Sequence, residues 1–495
     1  MAERQGKSLA ELGLRARGGA NPVITGLSVD SRRVAPGHLF AALPGVRVHG
    51  AKFIAQVIEA GATVILTDAE GYAMARDLID GNGLSVVVAE DPRQVLAFAA
   101  ALWTGAQPKV MAAVTGTNGK TSVATFTRQI WMAMGLQGCN IGTTGVEGAF
   151  SAPSAHTTPE PITLHALLGR AAEAGVTHAV MEASSHGLAQ RRLDGVQLMA
   201  AAFTNITQDH LDYHPDFDSY MDAKAGLFER VLSPDGTAVI NIDGHGGEEM
   251  AARAVARGQR VLAVGRGPQA DLRILAQRYD PASQVLRFSF EGAEHQVTLP
   301  LIGGFQAENV LVAAGLAIGC GAAPEQVFRV LPELETVRGR MQLAAARENG
   351  GTVFVDYAHT PDAVATALKA LRPHVMGRLI AVIGAGGDRD RTKRPLMGQA
   401  AALNADLVFV TDDNPRSEDP AAIRAEVMGG CPAATEVADR AEAILRGVDA
   451  LGPGDALLIA GKGHETGQTI GDTVFPFDDV EQASVAVSAL DGGRV

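Results

Sequence analysis

The sequence predicts a multi-domain α/β protein built on mainly parallel sheets, and three observations carry that reading. At 495 residues the chain is too long for one hydrophobic core, so about three domains are expected. Short apolar runs alternate with helix-length amphipathic segments almost throughout, the pattern of βα units. The apolar runs also end repeatedly in polar clusters. VMAAV leads into TGTNGKTS, HAVME into ASSH, AAAF into TNITQDH and FVD into YAHTPD; later LIAVIG leads into AGGDRD, LVFV into TDDNPR and ALLIAG into KGHE. In open α/β sheets ligands bind beyond the carboxyl ends of the strands, so these clusters are expected to line clefts.

Two breaks divide the chain. TGAQPK (104–109) is a Gly/Pro-containing connector after the helix-like VLAFAAALW, and charge interrupts the helical pattern near LPELETVRGRMQ (331–342). The expected domains are therefore 1–108, 109–338 and 339–495. Neither a short-period repeat nor a low-complexity tract is present.

The composition, 46% hydrophobic and 20% charged, is that of a globular protein. A net charge of -13 disfavours nucleic acid and anionic membrane surfaces as partners. Cys139, Cys320 and Cys431 lie far apart with no CxxC, which fits a reducing compartment and argues against a structural zinc site. The N-terminal MAERQGKSLAELGL is too polar for a secretory signal, and no apolar run reaches the roughly 18 residues of a membrane span. A cytoplasmic protein, taken as a monomer, is expected.

Residues 115–122, TGTNGKTS, follow an expected strand and precede an amphipathic helix with Val123, Phe126, Ile130 and Met134 on one face. Gly116 and Gly119 allow a tight turn whose N–H groups, with those of Thr117, Asn118 and Ser122, can face phosphate oxygens. Lys120 supplies a mobile positive charge, and Thr121 a hydroxyl for Mg²⁺. The full GxxxxGK[ST] pattern fails because Val114 stands at its first glycine. The segment reads as a nucleotide loop, with an ordinary Gly-rich strand–helix turn as the alternative.

Glu182 and His210 each end a strand, where a carboxylate and an imidazole can hold Mg²⁺ beside phosphates. A lone histidine is more often a satisfied structural group, but His156, His186, His210, His359 and His464 all fall in such clusters. Lys224, in DAKAGLF, reads from its neighbours as a solvated helix lysine. Arg389, Arg391, Lys393 and Arg394 form either a solvated charge run or a binding surface. DDNPRSEDP (412–420) is either a strand-to-loop turn or an anion site built on Arg416.

Taken in order, VDSRRVAPGHLF, GTNGKTS, HTTPE, MEASSHGLAQRRLDG, FTNITQDHLDYH, DAKAGLF, GRMQ, VDYAHTPDA, GGDRDRTKRPLMG, TDDNPR and GKGHE resemble the Mur ligases, the ATP-dependent amino-acid-adding enzymes of peptidoglycan synthesis. The resemblance runs through nearly the whole chain. It implies a central P-loop-type ATPase domain, a Rossmann-like C-terminal domain and a smaller N-terminal α/β domain. It also implies an ATP-driven ligase in cell-wall precursor synthesis, and hence in cell shape and division. ATP would phosphorylate the D-glutamyl γ-carboxylate of UDP-N-acetylmuramoyl-L-alanyl-D-glutamate, and an incoming amine would attack the acyl phosphate.

By the same resemblance, Val29, Ser31, Val46, Arg47 and Val48 hold the UDP end, and Thr157, Thr158, Ser184, Gln190 and Arg192 the muramoyl dipeptide. Gly116 to Ser122 and Asp356 bind ATP, while Thr121, Glu182, His210 and a carbamylated Lys224 (an N6-carboxylysine) ligate Mg²⁺. Arg389, Asp413, Asn414, Pro415, Arg416, Gly461 and Glu465 match the site for the incoming amino acid. DNPR implies meso-2,6-diaminopimelate there rather than L-lysine. His156 departs from the family pattern, where Asn is more usual. Folylpolyglutamate synthetase, which shares the phosphate loop, does not need VDSRR, SSHGLAQRR or DNPR. A nucleotide-gated binding protein leaves the C-terminal Arg/Asp/Glu cluster without a task.

Overall fold

The computed structural model describes residues 6–45, 48–154, 156–207, 213–280 and 283–492. Its chain divides into two compact units, Met1–Leu272 with Val312–Val327, and Arg273–Leu311 with Phe328–Val495.

Besides the short antiparallel pair Lys7–Ser8 and Val23–Ile24, the first unit holds two larger sheets. Gly26–Ser28, His38–Ala41, Val64–Thr67 and Ser85–Val88 pair in parallel in chain order. Alternate residues point to opposite faces of a strand. Leu39, Val64, Leu66 and Val87 thus enter one core, and Phe40, Ile65 and Val86 the other. Burial on both faces explains the continuous apolar runs. Helix Pro92–Thr104 begins where the Asp91 side chain accepts the Gln94 N–H, and stops at Gly105.

The second sheet runs Arg260–Gly265, Leu232–Asn241, Leu198–Phe203, Val110–Thr115, His178–Glu182, Gly138–Gly142, with Gly145–Gly148 antiparallel at its edge. The other pairs are parallel. Val110–Thr115 sits between two strands that end level with it: Val114 is in register with Glu182, and Thr115 with Phe203. Helix Lys120–Ala133 then packs Val123, Phe126 and Ile130 inward; Met134, expected on that face, is the half-buried residue just beyond the helix.

The second unit contains a parallel sheet ordered Thr352–Asp356, Ala456–Ala460, Leu379–Ile383, Leu407–Val410, Thr435–Glu436, with Gln342–Ala346 antiparallel at one edge. Asp356 is in register with Ala460, so the segments after both strands emerge together. Three antiparallel strands, Leu272–Asp280, Ser283–Phe290 and Ala293–Leu299, depart from the βα alternation. The last two are joined by Glu291–Gly292, both at positive φ, a two-residue hairpin turn. Among the described residues no helix is long and apolar enough to cross a membrane.

A buried ion pair fastens the sheet's carboxyl edge. Arg440, the first residue of helix Arg440–Asp449, donates from Nε and Nη2 to the two oxygens of Asp479 at 2.7 Å each, and neither side chain is exposed. Nη2 also donates to Ala460 O at 3.0 Å. Asp479→Ala leaves that guanidinium buried without its carboxylate and is expected to cost about 3–5 kcal/mol. Arg440→Met in the same chain should recover a large part, read as denaturation midpoints of the three proteins.

Candidate active site

The loop after Val110–Thr115 is braced by the neighbouring strand end. Thr117 N–H donates to Asn205 O at 2.8 Å, Asn118 N–H to Asn205 Oδ1 at 3.0 Å, and Thr204 Oγ1 to Asn118 O at 2.5 Å. Gly116, at φ +149°, lies where a Cβ would be 1.9 Å from Thr204 Oγ1, so only glycine lets the backbone pass. Gly119, at φ +90°, is the N-cap of helix Lys120–Ala133 and brings no side chain to its first turn, the end of a helix whose dipole favours anions. Lys120 Nζ donates to Gly116 O and Thr117 O, each at 2.9 Å.

Glu182 stands beside this loop, nearly fully buried. Its Oε2 accepts from Thr121 Oγ1 at 3.0 Å and its Oε1 from Thr143 N–H at 2.9 Å. Lys224 corrects the solvated-face reading: it is 1% exposed, its Nζ donates to the same Gly116 O at 2.8 Å, and it lies 4.4 Å above the Tyr220 ring. Helix Phe217–Gly226 is buried at Tyr220, Met221, Lys224 and Ala225, so its lysine turns into the loop instead of toward water. His210, Val46 and Arg47 lie outside the described residues.

A polar chain runs from Glu182 to a cavity. Thr158 Oγ1 donates to Glu182 O at 2.8 Å and accepts from Ser184 N–H at 3.0 Å; Thr157 and Thr143 hydroxyls are 3.0 Å apart. Arg192 donates to Thr158 O at 2.6 Å and to Gln190 Oε1 at 2.8 Å. Val29, Gln190 and Arg192 line a cavity of about 170 Å³ with Leu43, Arg93 and Glu160. Burial, then the nearby Arg93 charge, lowers the Arg192 pKa. Ser31 and Val48 are not in its lining, and His156 is exposed beside the paired threonines.

In the second unit the strand ends gather a different set. Asp356 accepts N–H bonds from Met341 at 2.7 Å and Ala358 at 2.9 Å, and burial raises its pKa. His464 packs 5.0 Å from the Tyr357 ring, and burial, then the Arg340 and Arg338 charges, lowers its pKa to about 4. Gly461, at φ +120°, brings its backbone against Asp413, whose Oδ2 would lie 2.7 Å from a Cβ. Asn414 Nδ2 donates to Glu465 Oε2 at 2.9 Å. Past Pro415, Arg416 takes φ +50° and pairs its backbone with the hairpin Gly467–Ile470/Thr473–Pro476: its N–H donates to Thr469 O, and its carbonyl accepts from Gly471 N–H. Arg416 Nη1 donates to Gly387 O at 2.7 Å, across from exposed Arg389.

The Arg389–Arg394 run is not uniformly solvated. Arg394 is fully buried and held by Glu418 and Glu426, whereas Arg391 reaches Glu426 from the surface. The turn reading of DDNPRSEDP holds, with Arg416 placed at the turn by its positive φ and its hairpin bonds.

The comparisons extend this picture over the full length. Residues 23–104 match the Mur ligase family catalytic domain, 114–317 the Mur ligase middle domain and 339–463 the Mur ligase glutamate ligase domain. The chain is 48% identical over 478 residues to a UDP-N-acetylmuramoyl-L-alanyl-D-glutamate--2,6-diaminopimelate ligase of Caulobacter vibrioides, covering 95% of this chain and 97% of that one. The chain belongs to the Mur ligase family. A ligase of the same name from Bradyrhizobium diazoefficiens is 49% identical over 470 residues, 94% of this chain and 95% of that one. A solved structure bearing that name aligns with a TM-score of 0.72 at 34% identity, covering 98% and 99% of the two chains. The protein is thus an ATP-dependent Mur ligase, with the multi-domain α/β fold that the sequence predicts.

Several side chains that contact the expected residues escaped the sequence reading: in the first unit Thr143 on Glu182, Tyr213 on Gln190 and Arg93 in the cavity, and in the second unit Lys462 among the acids. Lys462 carried a signal, being a charge one glycine beyond a fully apolar strand. Gly116→Ala is expected to weaken ATP binding roughly tenfold or more, because its Cβ displaces Thr204 and the loop with it. Titration of ATP into wild type and variant checks this.

Proposed function

We propose that this ligase joins meso-2,6-diaminopimelate to the D-glutamyl γ-carboxylate of UDP-N-acetylmuramoyl-L-alanyl-D-glutamate, with ATP consumed, in cytoplasmic peptidoglycan precursor synthesis. The observation that carries the amino-acid reading is Arg416, a guanidinium fixed by a strained backbone and a hairpin at a strand-end cluster that also holds Asp413, Asn414 and Glu465. The names of the full-length relatives support the same substrates. The functional segments are read as 1–108 for the UDP end, 109–338 for ATP and 339–495 for the amino acid.

The phosphate loop binds ATP through its N–H groups and Lys120, while Asp356 is read as a nucleotide contact from the second unit. Val29, Ser31 and the Val46–Val48 segment hold the UDP end. The Thr157, Thr158, Ser184, Gln190 and Arg192 chain orients the dipeptide so that its carboxylate meets the terminal phosphate. One carboxylate oxygen takes the phosphoryl group, ADP departs, and that oxygen leaves as phosphate when the amine attacks. Two anions must approach each other, and Lys120 offsets their charge. Arg389, Arg416, Asp413, Asn414, Gly461 and Glu465 orient the amino acid for that attack.

The donor set fits Mg²⁺: the buried Thr121 hydroxyl and Glu182 carboxylate would offer it oxygen ligands. An ammonium is not a ligand, but carbamylated Lys224, with His210, would complete the set. Bound there, the ion would supply positive charge beside the phosphates. Lys224→Ala is therefore expected to lose most activity while still unfolding cooperatively, and acetate should restore part of it; near-normal turnover would return Lys224 to a structural role.

The assay for the whole reading is ADP release with the UDP-dipeptide and a panel of amino acids. Release should require the dipeptide, and diaminopimelate should outperform L-lysine, which lacks the distal carboxylate that a guanidinium grips in two bonds. Arg416→Ala should cost diaminopimelate about 2–5 kcal/mol, roughly 30- to 5,000-fold in kcat/KM, with ATP and dipeptide affinities little changed. Arg416→Lys should recover only part. A wild type that prefers lysine, or diaminopimelate kinetics untouched by Arg416→Ala, overturns the substrate assignment.

A further inference from the structure

We propose that Lys462 is a positioning residue for the incoming amino acid, acting through Asn414 and Glu465. The inference rests on reading this cluster as the amino-acid site. Lys462 is 0% exposed, an unusual place for an ammonium, whose burial is costly unless it is paired and hydrogen-bonded. Its pairing is specific. Nζ donates to Asn414 Oδ1 at 3.0 Å and to Glu465 Oε2 at 3.4 Å, and it lies 3.6 Å from Asp413 Oδ1.

The consequence falls on Asn414 first. Its Oδ1 also accepts from Thr469 N–H at 2.9 Å, so two donors hold the oxygen side of the amide. Only Nδ2 is then left to turn toward Glu465, and it donates to Oε2 at 2.9 Å. Together with the Thr469 N–H, the ammonium sets which way Asn414 faces, and it alone of the two also reaches the Glu465 and Asp413 carboxylates. Without it, Asn414 loses one of the two donors that favour its orientation over the flip, and Asp413 and Glu465 lose the cation that lies between them.

The backbone of this region is held by other means. Arg440 ties Ala460 O to Asp479, and the hairpin binds Arg416 N–H and carbonyl. Gln468 Nε2 donates to Asp413 O at 2.8 Å. Loss of the Lys462 charge thus perturbs side-chain placement more than the path of the loop, which separates a positioning role from a structural one.

The test compares Lys462→Met, Glu465→Gln and their double variant in the full chain with ATP, the UDP-dipeptide and diaminopimelate. Lys462→Met is expected to raise the amino-acid KM roughly 10- to 100-fold, the range for a lost hydrogen bond to a charged group. The KM values for ATP and dipeptide should stay put, and kcat at saturating amino acid should remain within about threefold of wild type. In the Glu465→Gln background the same substitution should add less than roughly threefold, because coupled residues are not additive. Lys462→Gln retains a polar donor and should give an intermediate KM; it keeps the question answerable if the methionine variant does not fold. An unchanged amino-acid KM in the Lys462 variants beside a raised one in Glu465→Gln overturns the proposal alone. Unchanged values in both overturn the amino-acid-site reading with it, and a full, additive penalty in the double variant reduces Lys462 to structure.

Discussion

Parallel strand register is the constraint from which the rest of this ligase follows. When neighbouring strands run the same way and stop level, whatever the chain places after each strand arrives at one edge. In the first unit that edge brings together the phosphate loop, Glu182 and Thr204–Asn205, although these residues lie far apart in sequence. In the second it brings together the segments after Asp356, Ile383, Val410 and Ala460. Neither assembly needs a long-range contact designed for it; hydrogen bonding between strands already supplies the placement.

What the edge collects are mostly charges, and their crowding has to be managed. The first unit does so with short polar relays: Glu182 is satisfied by a hydroxyl and a backbone N–H, and Arg192 by a carbonyl and an amide oxygen. The second unit does so with full ion pairs, Arg440 on Asp479 and Arg394 on Glu418 and Glu426. Such pairs contribute little net stability against an apolar core, but removing one partner is costly, so they fix arrangement more than they add strength. Arg416 illustrates the same division of labour. Its backbone is held by a hairpin and its guanidinium by Gly387 O, which leaves further donors for an acid ligand.

Much of this was legible in the sequence because it depends on local rules. The phosphate loop was readable from glycine spacing between an apolar run and an amphipathic helix, and the strand-end clusters from the alternation of runs. Lys224 was not, since its helix is buried on more than one side and so lacks the amphipathic stripe that would separate a solvated lysine from a buried one. Arg394 was left between two readings for a related reason: a run of charges does not show which member is buried, and the partners that bury it, Glu418 and Glu426, come from a different segment. Lys462 stood in a quoted motif whose glycine and glutamate had roles by resemblance, while its own role depends on Asn414, 48 residues away. The antiparallel strands between 272 and 299 broke the βα rhythm because hairpins need only two-residue turns.

Two lysines from different elements, Lys120 and Lys224, both hydrogen-bond the carbonyl of Gly116. One oxygen has two lone pairs to offer, so both ammoniums can be seated, but only by holding two like charges within a few ångströms of each other. While Lys224 is unmodified, an anion that draws one of them away gains its own attraction and also releases that repulsion; carbamylation would replace the repulsion with an attraction to Lys120. The resting loop is in this sense preloaded, with part of the work of gathering positive charge done before any phosphate arrives. The same logic makes the loop's affinity for anions depend on the charge carried by a lysine more than 100 residues beyond it in the chain.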